Sequence, residues 1–241
     1  MPGGRSSSAI ESQDPQIIRV LYEDNHLYVV DKPAGLPTMG AAAGDPSLVE
    51  YGREDIRVRY QKPGNVFLGV VSRLDAHVSG VVVFARTSKA AARLNEQFRE
   101  RTVNKTYAAL VAGNLSQRSG RLENWLLRDD RRQIVVAEGT PGSDFAALSY
   151  HAAAQAGGMT FLRVMLETGR RHQIRTQLAA AGFPICGDHL YGSARRFPYG
   201  IALHASELQI AHPVGGRAMS FRSDLPNYWP EWARIRGQGS D

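Results

Sequence analysis

Asp75 stands in the turn Ser72-Arg73-Leu74-Asp75, between the apolar runs Val66 to Val71 and Val81 to Ala85. A carboxylate leading off a rigid strand can be aimed into a cleft, a common place for a catalytic group. Aspartate also caps turns, so position alone leaves both roles open. A second dense stretch is Gly169-Arg170-Arg171-His172-Gln173-Ile174-Arg175. On a helix, Arg175 would fall about 60° from Leu178 and about 100° from Ile174, at the edge of an apolar stripe. From there an arginine can reach a part-buried carboxylate and hold it ionised. Alternatively its stem covers apolar surface while its head stays in water.

Other chemistries find little support. The seven histidines show no HExxH or HxxxH spacing and no cysteine partner, so no metal site is expected. Neither GxGxxG nor GxxxxGK[ST] is present, so no glycine-rich phosphate loop is expected. A glycosidase would want two cooperating carboxylates, and Asp75 is the one well-placed candidate. Cys186, the single cysteine, lies in the apolar stretch Phe183-Pro184-Ile185-Cys186 and reads as a core thiol. One cysteine excludes an intramolecular disulfide and fits a reducing compartment, the cytoplasm.

The 241 residues are 43% hydrophobic and 22% charged, enough for one sizeable core or two small ones. No apolar run approaches the length of a membrane helix, so no membrane partner is expected. Basic residues number 29 against 23 acidic, and 25 of the 29 are arginine, the residue suited to phosphate forks and base stacking. The excess is concentrated. Residues 1–70 carry a net charge of −2, residues 71–134 carry +6 and residues 135–241 carry +2. Such a patch is the footprint of a polyanion-binding surface, and Arg93, Arg99, Arg101 and Lys105 are its candidate phosphate contacts. A solvated helix face is the plain alternative.

The elements that must hold these residues follow from pattern. Residues 17–31 read as a hairpin around Glu23-Asp24-Asn25, broken by Lys32-Pro33-Ala34-Gly35. Ser47 is a possible helix N-cap, and the stretch from residue 40 to Pro46 reads as loop. Val66–Val71, Val81–Ala85, Thr106–Val111 and Thr160–Leu166 are strand candidates. Ser88–Arg101 reads as a helix capped by Ser88, with Ala91, Leu94 and Phe98 on its apolar face. Arg171–Ala181 reads as a second helix, with Ile174, Leu178 and Ala181 as its stripe and Gly182 closing it. Strands and helices intermix without βαβ alternation, so the expected class is α+β with mostly antiparallel pairing. Residues 1–15 read as a flexible tail and 16–241 as one domain.

Three blocks, taken together, resemble the RluA-type RNA pseudouridine synthases. Ser72-Arg73-Leu74-Asp75 with Ser79-Gly80 resembles the family's HRLDxxTSG, and Lys105-Thr106-Tyr107 its KTY. Thr168 to Arg175, with Gly187-Asp188 and Tyr191-Gly192 behind it, resembles TGRxHQIR…GDxxYG. Residues 20–36, Leu203-His204-Ala205 and His212-Pro213 add supporting matches in the family's order. The resemblance implies isomerisation of uridine in ribosomal or transfer RNA, without metal or organic cofactor. It also implies a mixed, mainly antiparallel sheet flanked by helices, with a basic cleft, in a chain expected to act as a monomer.

By position, the resemblance makes Asp75 the catalytic carboxylate, Tyr107 the tyrosine stacked on the target base and a candidate for C5 proton removal, and Arg175 the arginine paired with Asp75. Leu203 becomes an apolar pocket residue, Arg73 holds the flipped nucleotide, and His172 and Gln173 fall at substrate-binding positions. Ser72, Val78 and Gln177 depart from the usual histidine, threonine and histidine, and none of the three is assigned to chemistry. The chain starts almost at the family's first strand, so recognition is expected from the catalytic domain itself. Two other classes stay in view: a non-catalytic RNA-binding module on the same fold, and a hydrolase cutting a nucleoside bond.

Overall fold

A computed structural model describes residues 18–40 and 46–238. The expected tail, and most of the loop before Pro46, lie outside the described residues. The predicted hairpin forms as β1 (Arg19–Glu23) and β2 (Leu27–Lys32), paired antiparallel. Next comes α1 (Leu48–Arg59), entered at Ser47, whose amide donates to Glu50 Oε2 at 2.6 Å, the return half of a capping box. β4 (Ser79–Ala85) contains the predicted run 81–85 and pairs along β2. The predicted strand 66–71 shrinks to β3 (Gly69–Val70), because the edge of β4 that it meets is shared with another strand.

β2 and β4 read as unbroken apolar runs because both faces are covered. Leu27, Val29, Val83 and Leu94 pack on the side of α2 (Ser88–Glu100), while Tyr28, Val30, Phe84 and Ile56 pack on the α1 side. The helix cap differs from expectation. Thr87, not Ser88, is the N-cap, its Oγ1 accepting the Ala90 amide at 3.1 Å. A capping hydroxyl reaches the amide three residues on, and here the first helical residue is Ser88 itself.

The rest of the sheet comprises β5 (Asn104–Ala112), β6 (Ser119–Asp129), β7 (Arg132–Val136), β8 (Asp144–Ala156), β9 (Met159–Leu166), β10 (Leu203–Ala211) and β11 (Ala218–Arg222). The order is β1-β2-β4-β10-β5-β9-β8-β6-β7, with β3 on β4 and β11 on β10. Every pairing is antiparallel except β4 with β10. At that seam Gly80 has φ +115°, and a Cβ there would lie 2.3 Å from the Ala205 carbonyl oxygen. Only glycine allows this approach. Helices α3 (Gln173–Ala180) and α4 (Glu231–Gln238) complete the fold, and Phe161, Leu178 and Trp229 share the core there. The architecture is α+β, as expected. No helix among the described residues is long and apolar enough to cross a membrane.

The β1–β2 turn is fastened to the β10–β11 turn through Asp24. Its Oδ1 accepts the His26 and Leu27 amides at 2.7 Å each, and its Oδ2 accepts the Tyr22 hydroxyl at 2.9 Å and meets His212 Nε2 at 2.8 Å. Burial alone would raise this carboxyl, but the amides, Tyr22 and His212 outweigh it and pull the pKa down to about 2. A depressed folded pKa stabilises above the unfolded value and is lost as pH falls through the folded one. Between pH 5 and pH 2, denaturant titrations should show wild type losing about 1 kcal/mol more than Asp24→Asn, a figure reduced for solvent screening. Equal losses would refute this role.

Candidate active site

The stretch from Val71 to Val78 is irregular, yet it is tied down on several sides. Lys32, fully buried, donates from Nζ to the carbonyls of Pro33, Leu36 and Ala76 at 2.8, 2.7 and 3.0 Å. Burial lowers its pKa to about 7 against the pull of Asp75 and Asp31, while three carbonyl acceptors match the three protons of an ammonium. Thr38 Oγ1 donates to the Leu74 carbonyl at 2.8 Å and accepts the Leu74 amide at 3.1 Å. The Gly35 amide donates to the Ala76 carbonyl and the Ile201 amide to that of His77. Asp75 is therefore held on a backbone with little freedom, its side chain 29% exposed.

Arg175 reaches Asp75 from α3. The predicted helix start shifts from Arg171 to Gln173, because His172 takes a left-handed backbone, φ +52°. Residues Gln173 to Leu178 are all buried, so the helix is enclosed all round and Arg175 is interior, not at a stripe's edge. Its guanidinium forks Asp188 through Nε and Nη2 at 2.6 and 2.8 Å, and its Nη1 donates to Asp75 Oδ2 at 3.0 Å. It also lies 4.9 Å from the centre of the Tyr191 ring. The covered-stem alternative for Arg175 is thus set aside.

Tyr107, on β5, stands in register with Ala205 on β10 and Val164 on β9. Burial, reinforced by the charge of Asp75, raises its pKa, so the phenol keeps its proton at neutral pH. Leu203, 3% exposed, opens β10 and lines the same cleft. That cleft has a volume of about 1640 Å³ and brings together Asp75, Tyr107, Arg175, Leu203, Arg73 and His172. Its walls carry eight arginine or lysine side chains against four carboxylates, an arrangement suited to a polyanion. Arg99, Arg101 and Lys105 are among the eight. Lys105 is part-buried, and burial with nearby Arg101 lowers its pKa.

Of two further expected contacts, Gln173 lines the cleft but is engaged with protein groups, and Arg93 lies outside it. Gln173 is 2% exposed and already engaged: its Oε1 accepts from Thr168 Oγ1 at 2.7 Å and the Arg170 amide at 3.0 Å, and its Nε2 donates to the Ala147 carbonyl at 2.9 Å. It braces the turn before α3 through these three bonds. Arg93 does not line the cleft; its Nη1 donates to the Pro213 carbonyl at 2.7 Å. Six residues of helix separate it from Arg99 by about 120°, so the two cannot line one groove. Sequence reasoning gave no role to Lys32, Thr38, Asp188 or Tyr191, although Asp188 and Tyr191 fall within matched motifs. Cys186 is a buried core thiol, and among the described residues no cluster suited to a metal ion converges.

The family model described as RNA pseudouridylate synthase matches residues 26–180. The "Dual-specificity RNA pseudouridine synthase RluA" of Escherichia coli K12 is 34% identical over 220 residues, covering 88% of this chain and 94% of its own. A "Ribosomal large subunit pseudouridine synthase D" of Xanthomonas campestris is 37% identical over 227 residues, covering 87% of this chain but 66% of the relative. Among solved structures, "Human RNA Pseudouridylate Synthase Domain Containing 4" superposes with a TM-score of 0.74 at 21% identity over 91% of each chain. "Human RNA Pseudouridylate Synthase Domain Containing 1" gives 0.72 at 20%, over 94% of this chain and 90% of that one. The shared fold, and a sequence match running through Asp75, Tyr107 and Arg175, lead to one conclusion: the chain belongs to the RluA-type RNA pseudouridine synthases and is an isomerase.

Proposed function

We propose that this isomerase converts specific uridines of ribosomal or transfer RNA to pseudouridine, with Asp75 as the catalytic carboxylate. The observation that carries this is Asp75 in a basic cleft, on a pinned loop, bonded to the interior Arg175. A base cannot be turned around within a stacked helix, so the uridine must be flipped out, at roughly a few kcal/mol. An aromatic platform returns about 1–3 kcal/mol, the role given to Tyr107, while Arg73 at the rim braces the displaced nucleotide.

The reaction breaks C1′–N1 and forms C1′–C5; C5 loses a proton and N1 gains one, so no external reactant is needed. Asp75 acts at the ribose or base during cleavage. The raised pKa of Tyr107 keeps its phenol protonated, which favours stacking over action as a base at neutral pH. Leu203 gives the detached base an apolar wall while it rotates. The relatives' names favour isomerisation over hydrolysis and catalysis over a binding-only module. The likeness to relatives named for ribosomal RNA and for dual specificity supports the substrate class. The test is pseudouridine mapping of total RNA from cells with and without the gene. Loss of pseudouridine at defined ribosomal or transfer RNA positions is the expected result, and an unchanged map would overturn the proposal.

The basic wall gives a separate expectation. The double variant Arg99→Gln/Arg101→Gln should weaken RNA binding and reduce the slope of log K against log salt by about 1.5. Arg93→Gln should leave that slope unchanged. Filter binding between 50 and 200 mM salt checks both, and an unaltered slope in the double variant would refute the footprint.

A further inference from the structure

Arg175 is one of two groups facing Asp75 Oδ2; the other is His172 Nε2, 3.6 Å away. His172 reaches this position from a left-handed backbone and with no hydrogen bond capping α3, a conformation that residues bearing a side chain seldom adopt. The placement puts its ring at the end of a hydrogen-bond chain. The Gln133 amide on β7 donates to Tyr191 Oη at 2.8 Å, and Tyr191 Oη lies 2.9 Å from His172 Nδ1. The two rings meet edge-on, 5.8 Å between centres at 83°.

The direction of that chain follows from donor and acceptor inventory. A backbone amide only donates, so it uses one lone pair of the phenol oxygen; among the described residues Nδ1 is the acceptor within reach of the phenol's one proton, and using that proton directs it to Nδ1. Nδ1 is then bare, and a neutral imidazole must carry its hydrogen on Nε2, the nitrogen that faces Asp75. Burial lowers the His172 pKa; Asp75 and Asp188 pull it up, and Arg175 and Arg171 push it down, with the net shift downward. The neutral ring is therefore the form to consider.

We propose that Tyr191, oriented by the Gln133 amide, fixes the Nε2–H tautomer of His172, and that His172 thereby positions Asp75, its 3.6 Å approach closing to a hydrogen bond when RNA fills the cleft. Donor–acceptor pairs that are long in an empty site commonly tighten in the complex. With Nη1 of Arg175 and Nε2 of His172 both on Oδ2, Oδ1 is left to the substrate. His172 and Tyr191 are positioning residues, and the Gln133 link ties the setting of Asp75 to the β6–β7 hairpin. The inference rests on Asp75 being the carboxylate that meets the uridine.

The test has two independent readouts on the full chain. Long-range 1H–15N correlation of the imidazoles should show His172 protonated on Nε2 and bare on Nδ1 in wild type, with that preference lost in Tyr191→Phe. Turnover is measured by tritium release from transcribed RNA carrying 5-tritiated uridine at the mapped position. Tyr191→Phe should lower kcat about tenfold with KM for RNA unchanged, and His172→Ala about a hundredfold. His172→Gln, which restores an N–H near the position of Nε2, should recover most of that loss. An Nδ1–H tautomer in wild type, full kcat in Tyr191→Phe, or equal impairment of His172→Ala and His172→Gln would each overturn the proposal. Asp75→Asn run alongside separates the two claims, since turnover in that variant sinks the assignment of Asp75 while the tautomer is still read directly.

Discussion

Asp75→Asn is expected to bind RNA within about twofold of wild type and to lower conversion about ten-thousandfold, a loss of about 5.4 kcal/mol of transition-state stabilisation. Asparagine keeps an oxygen for Arg175 Nη1 and changes the side chain by one group, so the loop from Val71 to Val78, pinned by Thr38 and Ile201, has no reason to move. It removes the charge and the ability to act at the sugar or the base. The measurement pairs a binding isotherm with pseudouridine quantification on the same RNA. A variant that still forms pseudouridine would sink the assignment. A wild type that leaves abasic sites would point to hydrolysis, and a wild type that binds without any conversion would point to the binding-only module.

Replacing Arg175 should have the largest effect on stability. Its guanidinium satisfies two carboxylates together, and one of them, Asp188, is 1% exposed. Arg175→Met would leave that carboxylate buried without its counter-ion, a loss of about 3–5 kcal/mol. For a chain of this length that corresponds to a fall of roughly 10 °C in Tm. Activity should be lost even at temperatures where the variant stays folded, because Asp75 Oδ2 loses its closest donor. Arg175→Lys keeps the charge but not the fork, so it should recover part of the stability and little of the activity. Calorimetry and single-turnover assays check both; unchanged melting in Arg175→Met would show that Asp188 is satisfied some other way.

What the sequence revealed, and what it hid, has physical causes. β2 and β4 were legible because both faces are buried and their residues are β-branched or aromatic. The hairpins of β6, β7 and β8 were not. β8 is rich in alanine, a residue depleted in strands, and β6 mixes charge with apolar positions. α1 was hidden by its polarity and by Gly52, which sits in the helix because a Cβ there would come within 2.8 Å of the Leu68 side chain. At the site, the ordered motifs located Asp75, Tyr107 and Arg175. Residue type could not show that Gln173 also braces the turn before α3 through Thr168, Arg170 and Ala147. Nor could local charge tell that Arg93 and Arg99 face different ways, since that depends on helix phase. Lys32 read only as a pattern breaker, because its three carbonyl partners are brought together by the fold.

The place of β10 in the sheet bears on how the enzyme comes to exist. The strands made first, β1, β2 and β4, form one group with the loop bearing Asp75; β5 to β9 form another, carrying Tyr107, and α3 with Arg175 follows. Among the described strands β10 joins the two groups, and more than a hundred residues separate it from β4. Until Leu203 and the residues after it emerge from the ribosome, the edges of β4 and β5 that β10 pairs are open, and Asp75 and Tyr107 belong to separate strand groups. Such long-range closure is slow and leaves strand edges exposed while it is pending. Chemistry therefore begins only once β10 has been made, and a chain cut short before β10 would keep arginines able to hold RNA but have no pocket in which to turn a base.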